Sequence, residues 1–163
     1  MEFINMINEL IKRNNIKIFI DMDGTIVENI FDLDKSYEKK GGYLKKRPIK
    51  PIIEQIDKIK DNYEYIEINI LSCSKNNEMV KEKNEWLDMN MPYVKKENRV
   101  FLVKENGGYT NENIDEVKGE YIKKNIKNDE IAVLIDDDNR ILSKAQMILG
   151  KQIVPIHVTS LLI

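Results

Sequence analysis

Two pairs of aspartates each stand directly after an apolar run of the sequence. Asp21 and Asp23 open the segment 21–25, in which Gly24 permits a tight turn, and Asp136 and Asp137 follow the second run. Four converging carboxylates would repel one another unless a divalent cation lay among them. Oxygen ligands suit a hard ion, so the sequence predicts a Mg²⁺ site that could bind an anionic group such as phosphate.

The four aspartates can meet only if the elements that carry them end at one edge of a sheet. Strand-like runs are predicted at residues 16–20, 65–71, 99–103, 131–135 and 152–156. Helical spacing of apolar residues alternates with them, at residues 3–11, 49–59, 78–90, 117–126 and 141–149. This alternation is typical of βαβ units, whose ligands bind at the carboxyl ends of the strands. We predict an α/β fold, a Rossmann-like three-layer sandwich with a five-stranded, mainly parallel sheet.

The composition is typical of a globular protein. The chain has 163 residues, 42% hydrophobic and 33% charged, as expected for a single globular domain over residues 1–163. Its net charge of -2 offers no general attraction to a nucleic-acid duplex or to an anionic membrane. No apolar run approaches membrane-spanning length, no signal sequence is expected, and Cys73 is the single cysteine, so we predict a cytoplasmic protein. The apolar stripe of residues 3–11 could pack on the sheet or form a homodimer.

Further polar residues follow other predicted elements. Ser72 ends the second strand and could hydrogen-bond a phosphate, with Ser74 as a rival, although either could instead cap the helix that follows. A lysine near the carboxylates would balance their charge. The candidates are Lys118, at the start of a helix before the fourth strand, and Lys104, which follows the third strand; the resemblance described next favours Lys118.

These residues, in this order, resemble the haloacid dehalogenase (HAD) superfamily of phosphatases. The first motif of that family is Asp-x-Asp-Gly followed by Thr or Val, which residues 21–25 match. Ser72 corresponds to the second motif, Lys118 to the third, and the acidic pair Asp136 and Asp137 to the fourth. The resemblance implies a magnesium-dependent phosphomonoester hydrolase.

The resemblance also implies a role for each residue. Asp21 would be the nucleophile that forms an aspartyl-phosphate, and Asp23 would protonate the leaving oxygen and then activate water. The residues implied to bind phosphate are Ser72, Cys73, Lys118 and Gly24. The residues implied to bind Mg²⁺ are Asp21, Asp23 through its backbone carbonyl, Asp136, and Asp137 in support.

A short insertion at residues 29–48 is all the chain offers as a cap over the site. The segment 35–50, which we call the basic insertion, carries seven basic residues and one acid, Glu38. It could steer phosphorylated substrates, and an aromatic leaving group could stack on Phe31, Tyr37 or Tyr43. The simpler interpretation is a solvated, lysine-rich loop.

Within the superfamily, the chain looks similar to small members of the 5'(3')-deoxyribonucleotidase-like branch. That similarity implies a nucleoside monophosphate or another small phosphorylated metabolite as substrate. A phosphotransferase or mutase of the same fold is an alternative, as is a response-regulator receiver. A receiver, however, places its acidic pair early in the chain, whereas here the pair comes late. His157 is interpreted as an ordinary edge residue, and Trp86 as core.

Overall fold

A computed structural model describes residues 2–30 and 33–163 of the chain. Phe31 lies outside the described residues. The strands are β1 (Asn15–Ile20), β2 (Glu67–Ser74), β3 (Arg99–Val103), β4 (Glu130–Asp136) and β5 (Ile153–His157). The helices are α1 (Phe3–Ile11), α2 (Lys50–Asn62), α3 (Asn77–Asn90), α4 (Val117–Asn125) and α5 (Asn139–Leu149). The predicted alternation of strands and helices is confirmed.

The five strands form one sheet in the order β3-β2-β1-β4-β5, and every pair of neighbours is parallel. The sheet is therefore wholly parallel, where a mainly parallel one was predicted. This is the order of a doubly wound sheet, in which the chain leaves the central strands in opposite directions. The crevice beyond the carboxyl ends of β1 and β4 is the place where such folds bind ligands.

Helices cover both faces of the sheet, because successive strand residues point to opposite sides. Ile18 of β1 belongs to a core shared with α1, α2 and α3, where Ile56 and Trp86 are buried. Phe19 belongs to the core on the other face, which is shared with α4 and α5 and includes Ala145. The predicted three-layer arrangement and the core position of Trp86 are confirmed.

Strand β2 runs later along the chain than the apolar pattern predicts. It begins at Glu67, and Tyr65 is exposed before it. It continues through Ser74, because Ser72 and Ser74 pair with residues of β3. Backbone pairing with a neighbour extends the strand through polar residues that carry no apolar signal.

The basic insertion is fastened to the body of the domain at its C-terminal half. The amide of Ile49 donates to Ile26 O at 2.8 Å. The indole of Trp86 donates to Lys46 O at 2.9 Å. Tyr43 is buried and belongs to the core. This half of the insertion is therefore packed structure, whereas the sequence favoured a solvated loop throughout.

Within the described ranges, no helix combines the length and the apolar character needed to cross a bilayer.

Candidate active site

Lys118 lies between two buried carboxylates at the edge where β1 and β4 end. Its Nζ is 2.7 Å from Asp21 Oδ1 and 2.6 Å from Asp136 Oδ2. The amide of Asp21 donates to Ile135 O at 3.0 Å, which holds Asp21 against the end of β4. Gly119 lets α4 approach α5 closely, since a Cβ there would lie 3.0 Å from a backbone atom of α5. This close packing places Lys118 over the two aspartates.

The structure separates the two lysines between which the sequence left a choice. Lys118 is 2% exposed and bonds Asp21 and Asp136. Lys104 is exposed and donates to Asn111 Oδ1 at 2.7 Å. Lys118 is therefore the lysine of this carboxylate cluster, as the sequence analysis favoured.

Burial governs the protonation of the two aspartates. Burial raises the pKa of Asp21 to about 6; Lys118 opposes this change, and the charge of Asp136 adds to it. Burial likewise raises the pKa of Asp136 against the opposing effect of Lys118. Burial alone would lower the pKa of Lys118, but the two carboxylates outweigh it and raise the pKa above its usual value. One ammonium thus faces two carboxylates, and the cluster keeps an affinity for further positive charge.

A third carboxylate completes a group that could hold a metal ion. One carboxylate oxygen from each of Asp21, Asp136 and Asp137 lies within 4.8 Å of the other two. Three oxygens at this spacing fit a hard divalent cation such as Mg²⁺. Gly24 is required beside them: its φ is 81°, and a Cβ there would clash with the carboxylate of Asp137. The predicted turn at Gly24 therefore also makes room for an acidic side chain.

His157 supports this group from the neighbouring strand. Its Nε2 donates to the Asp137 carbonyl at 3.0 Å, while Nδ1 lies 2.8 Å from Thr159 Oγ1. The register that pairs Asp136 with His157 brings the ring to this position. The sequence analysis treated His157 as an ordinary edge residue and missed this contact.

Asp23 is not part of this group of three carboxylates and instead pairs with two lysines. Lys83 Nζ is 2.9 Å from Asp23 Oδ2, and Lys46 Nζ is 3.1 Å from Asp23 Oδ1. Burial alone would raise the pKa of Asp23, but the charges and hydrogen bonds of Lys83 and Lys46 outweigh it and lower the pKa to about 2. The expected convergence of four carboxylates is thus replaced by three, because these lysines hold the fourth. In this arrangement Asp23 is ionised and has no proton to donate.

Ser72 and Ser74, the two candidates for phosphate binding at the end of β2, have different surroundings. Lys83 Nζ donates to Ser72 Oγ and to Cys73 O, both at 2.8 Å, and Ser72 is 1% exposed. Ser74 is also buried, and its hydroxyl has no hydrogen-bond partner among the described residues. Cys73 is partly exposed, and burial raises the pKa of its thiol. The Ser72 hydroxyl is therefore hydrogen-bonded to Lys83, while Ser74 and Cys73 line a cavity.

The resemblance implies Gly24 as a phosphate ligand, but its backbone amide is already hydrogen-bonded within the protein. It donates to Val27 O at 2.8 Å within the turn. In this structure Gly24 shapes the site through its turn and its missing Cβ rather than through a free donor.

Two adjoining cavities open beside these residues. The smaller, about 240 Å³, is lined by Asp21, Lys118 and the acidic pair that follows the apolar run of β4. The larger, about 320 Å³, is lined by residues of the basic insertion, of β2 and of α3. Residues common to both linings are Asp23, Asn29, Cys73 and Ile114. A molecule that reaches Asp21 therefore has the larger cavity beside it.

No protein-family model matches this sequence, and no curated protein matches it. Among solved structures, the chain is similar to a chain of the "Structure of the Pnkp1/Rnl/Hen1 RNA repair complex", with a TM-score of 0.55 and 15% identity. The similarity covers 88% of this chain and 43% of the length of that one. It shows the fold alone.

Lys83 and Lys46 are the functional candidates that the sequence analysis missed. Lys83 is 1% exposed and lies on the face of α3 that also carries Trp86 and Leu87. A lysine within an apolar helical stripe is a signal that could have been read from the sequence. Lys46 offers no such signal, because it is one of seven basic residues in its segment.

Proposed function

We propose that this chain is a magnesium-dependent phosphomonoester hydrolase of the HAD type that acts through an aspartyl-phosphate on Asp21. The observation that carries the proposal is the setting of Asp21 at the crevice between β1 and β4. One carboxylate oxygen contacts Lys118, and the other accepts from the Thr25 hydroxyl at 3.2 Å. Together with Asp136 and Asp137, Asp21 also belongs to the group of carboxylates that fits Mg²⁺.

Asp21 is fixed for attack on phosphorus by its two hydrogen-bond partners. The contacts from Lys118 and Thr25 orient the carboxylate, and Lys118 offsets negative charge as the phosphate approaches. When held by Asp21, Asp136 and Asp137, Mg²⁺ would supply further positive charge to the phosphate oxygens. The raised pKa of Asp21, about 6, still leaves it ionised near neutral pH. The nucleophile and the groups that neutralise the charge of the phosphate would thus lie side by side in this proposal.

In this proposal Asp23 acts as the general acid and then as the general base. It must protonate the leaving oxygen and later remove a proton from the water that hydrolyses the aspartyl-phosphate. The ionised Asp23 suits the second step. For the first step, the substrate's negative charge must draw Lys46 and Lys83 away from Asp23, so that its pKa rises and it can carry a proton.

The test of the proposal is multiple turnover of p-nitrophenyl phosphate with Mg²⁺. We expect Asp21→Asn to abolish release of p-nitrophenol, and Asp61→Asn, a change at an exposed helical position, to leave it intact. A wild-type protein that becomes phosphorylated once and never turns over would refute the hydrolase proposal. That result would support a phosphoacceptor instead, although response-regulator receivers have the flavodoxin-like strand order 2-1-3-4-5 rather than the order found here.

Product analysis distinguishes the hydrolase from a phosphotransferase or mutase of the same fold. We expect phosphate to be released to water, and a product phosphorylated at a new position would contradict this. A screen of small phosphorylated metabolites, including nucleoside monophosphates, would identify the leaving group. Because the solved chain of similar fold comes from an RNA repair complex, phosphorylated RNA ends belong in the same screen.

A further inference from the structure

The larger cavity beside Asp23 has a buried hydroxyl group in its wall that nothing in the described structure satisfies. Tyr43 is 1% exposed and Ser74 is 3% exposed, and both line this cavity. Within the described part of the chain, the Ser74 hydroxyl has no hydrogen-bond partner, whereas the Tyr43 hydroxyl lies against the Asp23 carboxylate and hydrogen-bonds it. A buried hydroxyl without a partner costs about 1–3 kcal/mol, so the Ser74 hydroxyl at this cavity wall indicates a ligand that bonds it.

The charge of the lining indicates which kind of ligand this is. Among the described residues, four lysines and two carboxylates line the cavity, a net charge of +2. The lysines are Lys35, Lys46, Lys75 and Lys83, and the carboxylates are Asp23 and Glu38. Burial, with the nearby carboxylate of Asp23, raises the pKa of Tyr43, so its hydroxyl remains a neutral donor. Ammonium groups and hydroxyl donors together match an anion with several acceptor oxygens.

An uncharged aromatic leaving group would match the cavity less well. Such a group could contact the Tyr43 ring, but Lys46 Nζ already lies 4.7 Å from the centre of that ring. An aromatic face would leave the Ser74 hydroxyl without a partner and the positive charge of the lining unbalanced. A second phosphate meets both needs.

We propose that the larger cavity is a subsite for a second phosphate group, so that the substrates of this chain are bisphosphorylated small molecules. The inference rests on the proposed function, because it places the phosphate to be hydrolysed at Asp21 and the second phosphate at Tyr43 and Ser74. Asp23 and Cys73 line both cavities, so one molecule can occupy the two together.

The experiment compares matched pairs of substrates that differ by one phosphate. A nucleoside bisphosphate is measured against its monophosphate, and a hexose bisphosphate against its monophosphate, by phosphate release with Mg²⁺. We expect kcat/KM to be at least tenfold higher for one or both bisphosphates, and the pair with the larger ratio identifies the scaffold. Equal kcat/KM within both pairs, with p-nitrophenyl phosphate hydrolysed normally, would overturn the subsite and leave the proposed function intact.

Variants that remove single hydroxyl groups test where the second phosphate binds. In Tyr43→Phe combined with Ser74→Ala, we expect the preference for the bisphosphate to fall to near unity. The matched control is Tyr93→Phe with Ser143→Ala: the Tyr93 hydroxyl is also buried beside a carboxylate, that of Asp57, but it lies outside this cavity, and Ser143 is exposed. A preference that survives in the first double variant would refute the assignment to Tyr43 and Ser74.

A binding measurement separates the failure of this inference from the failure of the proposed function. In Asp21→Asn with Mg²⁺, calorimetric titration should show at least tenfold tighter binding of the bisphosphate than of the monophosphate. If no substrate is hydrolysed by the wild type but this difference in affinity is found, the subsite stands and the hydrolase proposal fails. If the two ligands bind Asp21→Asn equally, the subsite is refuted.

Discussion

Lys118 is a buried ammonium group that two buried carboxylates share. Removing one partner of a buried ionic cluster leaves uncompensated charge in a medium of low dielectric constant. The same lysine offsets charge at the proposed nucleophile. Its loss should therefore affect both stability and activity.

We expect Lys118→Met to lower the free energy of unfolding by about 3–5 kcal/mol in EDTA. Hydrolysis of p-nitrophenyl phosphate should fall by about 10²–10³-fold, as for the loss of one preorganised charge-stabilising group. Urea unfolding and steady-state kinetics measure the two effects. Lys104→Met, an exposed change, is the control and should alter neither. An unfolding midpoint equal to that of the wild type would show that Lys118 does not balance the two aspartates.

Gly24 combines a left-handed backbone with contact to Asp137, and the two effects can be separated. Gly107 has a nearly identical φ, 77° against 81°, but nothing lies within 4 Å of where its Cβ would be. Both Gly24→Ala and Gly107→Ala should lose about 1–2 kcal/mol of stability through the backbone. Gly24→Ala should in addition displace Asp137 and raise the Mg²⁺ concentration needed for half-maximal activity. Identical Mg²⁺ dependence in the two variants would refute the role of this contact.

At the scale of elements, α3 carries a lysine where its neighbours on the same face are apolar. Lys83 reaches from this face to Ser72 and Cys73 of β2 and to Asp23, which follows β1. The helix is otherwise held by ordinary features, including the Asn76 side chain, which caps it by accepting from a backbone amide at 2.9 Å. Lys83 therefore joins a structural helix to the candidate site.

We expect Lys83→Met to reduce kcat/KM by about 10²-fold, because Asp23 and Ser72 lose the cation that positions them. The loss of stability should be smaller than for Lys118→Met, since Asp23 keeps Lys46 and its side chain is one third exposed. Kinetics and urea unfolding decide this, with Lys81→Met, an exposed lysine of the same helix, as the control. A stability loss as large as that of Lys118→Met would show that Lys83 is mainly a structural residue.

The elements were predictable because their signals are local. The β-branched run of β4 and the stripe of α5 depend on neighbouring residues alone, and the position of Lys118 at the start of α4 followed from them. The partners of Asp23 were not predictable in this way. With 26 lysines and arginines in the chain, the burial of Lys83 and Lys46 depends on how α3 and the basic insertion pack. The late end of β2 likewise depends on pairing with β3.

At the scale of the whole molecule, the sheet topology gathers charges that are far apart in sequence. Asp21 and Lys118 are separated by 97 positions along the chain. The strand order places the ends of β1 and β4 side by side, so folding itself brings Asp21 towards Asp136 and Asp137. Folding thus creates a repulsion among carboxylates that one lysine offsets in part. A cation bound at this edge of the sheet should stabilise the whole fold.

We expect Mg²⁺ to raise the free energy of unfolding by about 2.7 kcal/mol at a hundredfold excess over its dissociation constant, because the three carboxylates come together in the folded chain alone. Asp137→Asn should lose most of this gain. The same variant should be at least as stable as the wild type in EDTA. Burial and the charge of Asp21 both raise the pKa of Asp137, and the substitution removes this half-buried charge from beside Asp21. Urea unfolding with Mg²⁺ or with EDTA measures both effects.

The stabilisation by Mg²⁺ should also depend on pH, because the metal competes with protons for the carboxylates. The pKa of Asp21 is raised to about 6, so the gain should be complete well above this pH and should shrink as the pH falls through it. Asp61→Asn, an exposed change on α2, should keep both the gain and its pH dependence. A gain in stability that is the same on both sides of this pH, or one that Asp137→Asn retains in full, would place the bound Mg²⁺ somewhere other than at these three carboxylates.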